Sequence, residues 1–543
     1  MLTNQSIPSD GIKGLKENWR SDVLAGFIIF LIALPLSLGI AAASGAPPIA
    51  GIIAAVVGGM LVSFLGGSYV TINGPAAGLI VVCLHAIETL GRGDKLLGFE
   101  LFLAAIVVVG IIQIVLGLLR AGILATFFPP SVIHGMLTSI GIIIIAKQIH
   151  VAFGSHPESK SIIGLLVEVP TDILHWNLNP EIAFIGLACL IIAIVWPMIK
   201  IKYLNYIPAP LVAVLAGVAM GQYFDLDHSH PYLFLEHKFE LGPNFLVNLP
   251  QNMDKIFTFP NFSRTLTMDF FLAVFSIFFV NSLESILSTV AVDKLDPYQR
   301  KSDLNREFIG KGIGNMILGF IGGIPIISEI VRSSANVQNG AKTKWANFFH
   351  GFFLLTFILS IPHLIHEIPM AALAAILVVV GYRLASPKEF VKTYRIGLDQ
   401  ITLFVVTILF TLIEDLLVGI FAGLIVKLLL DIYHGHSFKY FFKPNIEITE
   451  NAYECNILIK DSLVFWNLFL VIKKLHSLSG SGKKVTLDFS KATLLDHTTM
   501  ENIHSFQADY KQRGGEFILL GIDKLNATSS HPFATRITKK VFI

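Results

Sequence analysis

Three ionisable residues, Glu284, Glu329 and Arg332, lie inside otherwise apolar stretches of this chain. A charge at bilayer depth is costly unless paired or solvated, so each is read first as a candidate functional group. Glu284 stands in Ser282-Leu283-Glu284-Ser285-Ile286-Leu287-Ser288, with Ser288 one helical turn later on the same face. A carboxylate and a hydroxyl at that spacing can ligate Na⁺ through oxygen, or take up and release a proton in a low-dielectric site. The plainer alternative is a Glu paired to a neighbouring helix. Glu329 and Arg332 are three residues apart, which lets them neutralise each other. Glu329 can also cap a helix start, and Arg332 can also meet an anion.

Two broken apolar segments sit at matching places in the two halves of the chain. They are Asn73-Gly74-Pro75-Ala76-Ala77-Gly78 and Gly322-Gly323-Ile324-Pro325-Ile326-Ile327-Ser328-Glu329. A helix broken at membrane depth presents free N–H groups and a positive dipole end, where a transporter can hold an anion. Asn73, Gly74, Ala76 and Ala77 give a start with no bulky side chain to block approach. The simpler reading is a Gly-Pro start to a packed helix.

These groups need a membrane scaffold, and the composition supplies one. Hydrophobic residues make up 54% of the 543 and charged residues 14%, with a mean hydropathy of +0.69, which excludes an ordinary soluble domain. Apolar segments recur near 22–43, 48–67, 73–90, 99–119, 131–149, 181–199 and 208–223. A second set follows near 268–290, 307–321, 328–338, 345–364, 369–383, 399–413 and 415–433. Fourteen segments parse as seven plus seven, so the second repeat (about 268–433) enters the membrane inverted relative to the first (about 22–223). Pro75 and Pro325 are about 250 residues apart, as are Pro35 and Glu284. The alternate loops carrying Arg120, Lys200, Lys202, Arg300, Arg306, Lys342, Lys344, Arg383, Lys388, Lys392 and Arg395 are the basic ones. They are expected on the cytoplasmic side, with both termini. Residues 1–21 form a cytoplasmic N-terminal segment and 22–433 the transport domain.

The tail, 434–543, reads as linker plus a small α/β domain. It has strands at 455–459, 485–489 and 516–520, and a helix over 498–513 ended by Gly514-Gly515. Cys83, Cys189 and Cys455 have no ligand spacing, so neither a disulfide framework nor a zinc site is expected. His85, His134 and His150 are expected to be packing residues. The glycine pairs Gly58-Gly59 and Gly66-Gly67 lack the strand–loop–helix context of a nucleotide site and are read as close helix packing. No enzyme activity, cofactor or nucleic-acid partner is expected; Na⁺ or H⁺ at Glu284 and Ser288 is the expected coupling ion.

Together, Ala33-Leu34-Pro35-Leu36-Ser37-Leu38-Gly39-Ile40-Ala41, Asn73-Gly74-Pro75, Leu283-Glu284-Ser285, Asn305-Arg306-Glu307 and Gly322-Gly323-Ile324-Pro325 through Arg332-Ser333 to Gly340-Ala341-Lys342-Thr343 resemble the SulP family of anion permeases. The tail resembles their STAS domain. This resemblance implies an all-α membrane domain of fourteen segments in two inverted repeats, divided into core and gate subdomains. It further implies elevator-like motion and a homodimer in a membrane, expected to be the bacterial inner membrane. It places the anion on Asn73, Gly74, Ala76, Ser328, Glu329, Ile330 and Val331, and a cation on Glu284 and Ser288 with the backbone near Ser328. In the tail, Thr498 falls in the loop where related domains carry a phosphorylatable serine, and it can be a switch or a helix cap.

Three readings follow. The first is a Na⁺- or H⁺-coupled transporter of bicarbonate or sulfate. The second is a proton-coupled nucleobase or dicarboxylate permease of the same fold, which Glu284 plus Glu329 resembles. The third is a signalling scaffold whose tail binds a cytosolic partner.

Overall fold

The computed structural model describes residues 7–122, 128–159, 161–201, 207–248, 256–478 and 482–538. Lys202, one of the expected inner-loop bases, lies outside them. The chain divides into two compact units, residues 1–125 with 140–384, and residues 126–139 with 385–543.

In the first unit, α1 (Gly11–Ala43) and α2 (Pro48–Val57) lead through a π-turn, Gly58–Val62, to the short strand β1 (Ile72–Gly74). After β1 come α3 (Ile80–Gly91), α4 (Lys95–Leu118) and α5 (Pro130–Phe153), the last shared between the units. Next are α6 (Ile162–Leu174), α7 (Pro180–Val195) and α8 (Ala209–Tyr223). The loop after α8 is not merely polar coil, because β2 (His230–Phe234) and β3 (His237–Leu241) pair in it as a hairpin. Neither α6 nor this hairpin was expected.

The second half of the unit begins with α9 (Met268–Leu295) and α10 (Leu304–Ile321). Asp303 caps α10 by accepting from Asn305 and Arg306 N–H. Gly322 ends the helix at φ +89°, a conformation glycine adopts without a Cβ penalty. Strand β4 (Ile327–Glu329), α11 (Ile330–Gln338), α12 (Trp345–Ser360) and α13 (Met370–Leu384) follow.

Each of the fourteen apolar segments overlaps a helix, but 73–90 and 328–338 begin in short strands, β1 and β4. Among the described residues, eight helices are long and apolar enough to cross a membrane, and four more apolar helices are shorter. The core joins small and branched residues of α1, α2, α7, α8, α12 and α13, among them Ala33, Leu38, Ile52, Cys189 and Ala372. Small residues also let backbones meet. A Cβ on Gly110 would lie 2.5 Å from Gly312 O, joining α4 to α10, and one on Gly59 would lie 2.7 Å from Gly351 Cα.

The second unit holds α14 (Pro387–Ile396), α15 (Leu398–Ile413) and α16 (Leu416–Tyr433), then an α/β tail. The tail contains β5 (Ile446–Glu450), β6 (Glu454–Ile459), α17 (Phe465–Leu478), β7 (Lys484–Asp488), α18 (His497–Gln512) and β8 (Phe517–Leu520). The sheet order is β5-β6-β7-β8, with β5 antiparallel to β6 and the other pairs parallel.

At the edge of this sheet Glu450 accepts from Lys474 (2.6 Å) and Lys483 (2.7 Å), which hold its carboxyl at about 2, below the ordinary value. A lowered acid stabilises the fold above its unfolded value of about 4.3 and loses that contribution as pH falls towards the folded one. We expect the parent's tail to lose thermal stability faster than Glu450→Gln between about pH 5 and about pH 2, less so in high salt. Parallel unfolding curves over that range would contradict this.

Candidate functional site

The two broken segments meet. β1 and β4 pair antiparallel in the register Ile72–Glu329, Asn73–Ser328 and Gly74–Ile327. Glycine follows the end of each preceding helix, Gly66-Gly67 before β1 and Gly322-Gly323 before β4, and the three-residue strands satisfy the exposed backbone groups across the break. Beyond β1, the chain turns at Pro75 and through Ala77–Leu79 into α3; beyond β4 it enters α11 directly. Side chains fix the pairing from behind. Ile72 N–H donates to Ser333 Oγ (2.8 Å), Asn73 N–H to Asn347 Oδ1 (3.3 Å), and Asn336 Nδ2 to Val70 O (2.8 Å).

Most of the expected site residues converge here. Asn73, Ala76, Ala77, Ser328 and Arg332 are buried; Arg332 Nη2 donates to Pro75 O at 2.6 Å. Its Nη1 faces Gly74, where a Cβ would stand 2.8 Å away, and Nη1 and Nε have no hydrogen-bond partner among the described residues. Glu329 Oε2 is 4.0 Å from Arg332 Nε. Ile330 and Val331 are instead exposed, so they can offer backbone amides at the start of α11 but not a closed apolar wall.

Glu284 comes to the same place from α9. Its carboxylate lies against Gly78, where a Cβ would be 2.1 Å from Oε2, and Oε2 is sealed from solvent without a hydrogen-bond partner among the described residues. Ser285, one residue on, accepts from Ser328 N–H (3.2 Å), and Thr289 Oγ1 donates to Ser328 Oγ (2.8 Å). Ser288 is buried on the same helix. We expect Gly78→Ala to fold, since the three atoms nearest to the added methyl all belong to the movable Glu284 carboxylate. Displacing Glu284 should lower ion-dependent uptake by on the order of tenfold. Parent-like uptake by this variant would show that the position of the carboxylate is immaterial.

Other predicted positions stand apart from this site. His150 is a packing residue, bonded to Ser155 Oγ (2.8 Å) and Leu165 O (2.9 Å). His85 is exposed on α3, and His134 lies 3.6 Å from Glu389. Thr498 is buried in the tail, and Asp496 rather than Thr498 caps α18, accepting from Thr499 N–H at 2.8 Å. The cap reading of Thr498 is therefore corrected. An acid two residues earlier already satisfies the helix start.

Sequence reasoning missed a buried network on α10. Glu307 Oε2 accepts from Gly67 N–H (2.7 Å) and Ser68 N–H (3.3 Å); Oε1 accepts from Ser328 Oγ (2.9 Å) and Lys311 Nζ (2.7 Å). Lys311 also donates to Asn73 Oδ1. This ion pair therefore grips β1 through Asn73 and β4 through Ser328. The signal was present, a Lys four residues after a Glu inside an apolar segment. A second polar set steadies the 322–327 break: Gln113 Nε2 donates to Asn281 Oδ1 (2.7 Å), Asn281 Nδ2 to Ile326 O (3.0 Å), and Ile326 N–H to Asn315 Oδ1 (2.8 Å).

This arrangement has known relatives. Residues 19–411 match the model of the Sulfate permease family. The chain is 26% identical over 416 residues to the putative sulfate transporter YvdB of Bacillus subtilis, covering 75% of this chain and 73% of that protein. It is 28% identical over 418 residues to the bicarbonate transporter BicA of Picosynechococcus, covering 77% and 70% respectively. The fold is also similar to the overall structure of SLC26A9, with a TM-score of 0.67 at 16% identity over 94% of this chain and 85% of that one. With the family model spanning most of its apolar helices and both broken segments, the chain belongs to the sulfate permease family of membrane anion transporters.

Proposed function

We propose that this protein is a secondary transporter of bicarbonate or sulfate, coupled to Na⁺ or H⁺ at Glu284. The observation that carries the reading is the β1–β4 crossing, from which the chain runs on into α3 and α11, with Glu284, its Oε2 sealed from solvent, against Gly78. The amide ends of α3 and α11 supply positive potential, reinforced from behind by the guanidinium of Arg332. Neutralising Glu284 with a cation or proton removes a negative charge beside this place and raises its affinity for the anion. That linkage couples the two fluxes. The names of YvdB and BicA support the two substrates.

The same reading takes residues 22–433 as an elevator-type transport domain working in a homodimer. It takes 434–543 as a STAS-like domain that meets a cytosolic partner, with Thr498 as its candidate switch. The fourteen segments cross a bacterial inner membrane, with both termini and the basic loops in the cytoplasm.

Purified protein in liposomes, offered labelled bicarbonate, sulfate, fumarate and uracil under imposed Na⁺ or pH gradients, tests this function. Gradient-stimulated uptake of bicarbonate or sulfate is expected. Uptake of uracil alone would favour the nucleobase reading, in which Glu284 and Glu329 both face the substrate. No uptake of any solute would return the protein to a scaffold role.

A further inference from the structure

The short helix α14 lies between two apolar helices, starting three residues after α13 ends and finishing two residues before α15 begins. Chain continuity holds it at the membrane surface. Its residues sort into three stripes. Phe390 and Thr393 face inward, Phe390 packing edge-on against Phe404 with ring centroids 4.8 Å apart. Val391 and Tyr394 are exposed at 52% and 62%, apolar neighbours one turn apart, and Leu398, at the start of α15, is exposed at 71%; none of the three is covered by the described residues. Lys388, Lys392 and Arg395 form an adjacent basic stripe.

The basic stripe lines a cleft of about 570 Å³, together with Pro387, Val391 and His531. This volume is in the range of small-ligand sites. The far wall is fastened to the helix: Ser529 Oγ donates to Ile396 O at 2.6 Å, and His531 N–H donates to Ser529 Oγ at 3.1 Å. Phe533 N–H donates to His531 Nδ1 (3.2 Å), which leaves Nε2 as the protonated, donating nitrogen of the neutral ring. Two acids answer this charge among the described residues: Glu389, 3.6 Å from Lys392 and shared with His134, and Glu501, whose charge acts on His531. Lys388 and Arg395 have no ion-pair partner among the described residues.

We propose that this cleft holds the phosphate headgroup of an anionic phospholipid. Three cations and an imidazole N–H suit a phosphate, and the uncovered apolar stripe beside them suits acyl chains rather than a soluble phosphate. The site lies apart from the β1–β4 crossing and does not depend on what the protein transports. A bound headgroup bridges the membrane surface, α14 and the tail.

Native mass spectrometry of the full-length protein in detergent, with phosphatidylglycerol against phosphatidylcholine, tests the assignment. The parent should retain phosphatidylglycerol preferentially. The triple variant Lys388→Gln, Lys392→Gln, Arg395→Gln should lose on the order of a hundredfold of that preference. All three side chains are exposed, so the variant should fold, and its elution and melting temperature check this. An unchanged preference in the triple variant would overturn the proposal. So would millimolar inorganic phosphate displacing the lipid, which would identify the ligand as a soluble anion.

Discussion

Replacing Glu284 by Gln should remove the coupling of uptake to the ion gradient while leaving the protein folded. The substitution is nearly isosteric, and Oε2 has no hydrogen bond to lose. What disappears is the ability to bind a proton or complete a cation site. Coupling between two bound ligands is typically worth about 1–3 kcal/mol, so uptake driven by the gradient should fall on the order of 5–150-fold. The comparison is made in liposomes at matched protein density, with thermal unfolding as the folding control. A variant that keeps gradient-driven uptake would remove Glu284 from the mechanism.

Lys311→Met should be among the most destabilising single changes in the membrane region. Lys311 and Glu307 are both about 1% exposed and 2.7 Å apart. Removing one partner strands the other charge, which typically costs about 3–5 kcal/mol, whereas replacing both members of a buried pair is often neutral. We therefore expect Lys311→Met to unfold or melt far below the parent in detergent, and Lys311→Met with Glu307→Gln to recover most of the loss. Gln retains an acceptor for the Gly67 amide. If the recovered double variant binds the anion more weakly, the pair also orients Asn73 and Ser328 for binding. Equal melting temperatures for the parent and the Lys311→Met variant would mean that the ion pair holds nothing together.

Local patterns carried part of this site into the sequence. Glycine and proline in the apolar runs at 73–78 and 322–329 marked the breaks, because neither residue continues a helix there without loss. Glu284 was visible because its neighbours are apolar. The pairing of β1 with β4 was not visible, since three-residue strands some 250 residues apart have no periodicity that sets their register. Glu307 and Lys311 stand inside the apolar segment 307–321, but nothing in their spacing shows that the pair is closed over by Asn73 of β1 and Ser328 of β4. In the tail, the strands at 454–459, 484–488 and 517–520 and the helix His497–Gln512 follow their hydrophobic periods. The helix Phe465–Leu478 was missed because its first seven residues are apolar at all but one position, which blurs a 3.6-residue stripe.

The account rests on an anion held between the starts of α3 and α11, and substrate protection of a cysteine placed there tests it most directly. Val331 is 53% exposed in the first turn of α11, and the three native cysteines are free and buried, so Val331→Cys gives one reactive thiol. With the anion that liposome uptake identifies at saturating concentration, its labelling by a thiol reagent should slow on the order of tenfold, since the bound fraction shields the site. Labelling at the same rate with and without that anion, in protein that still transports it, would place the substrate elsewhere.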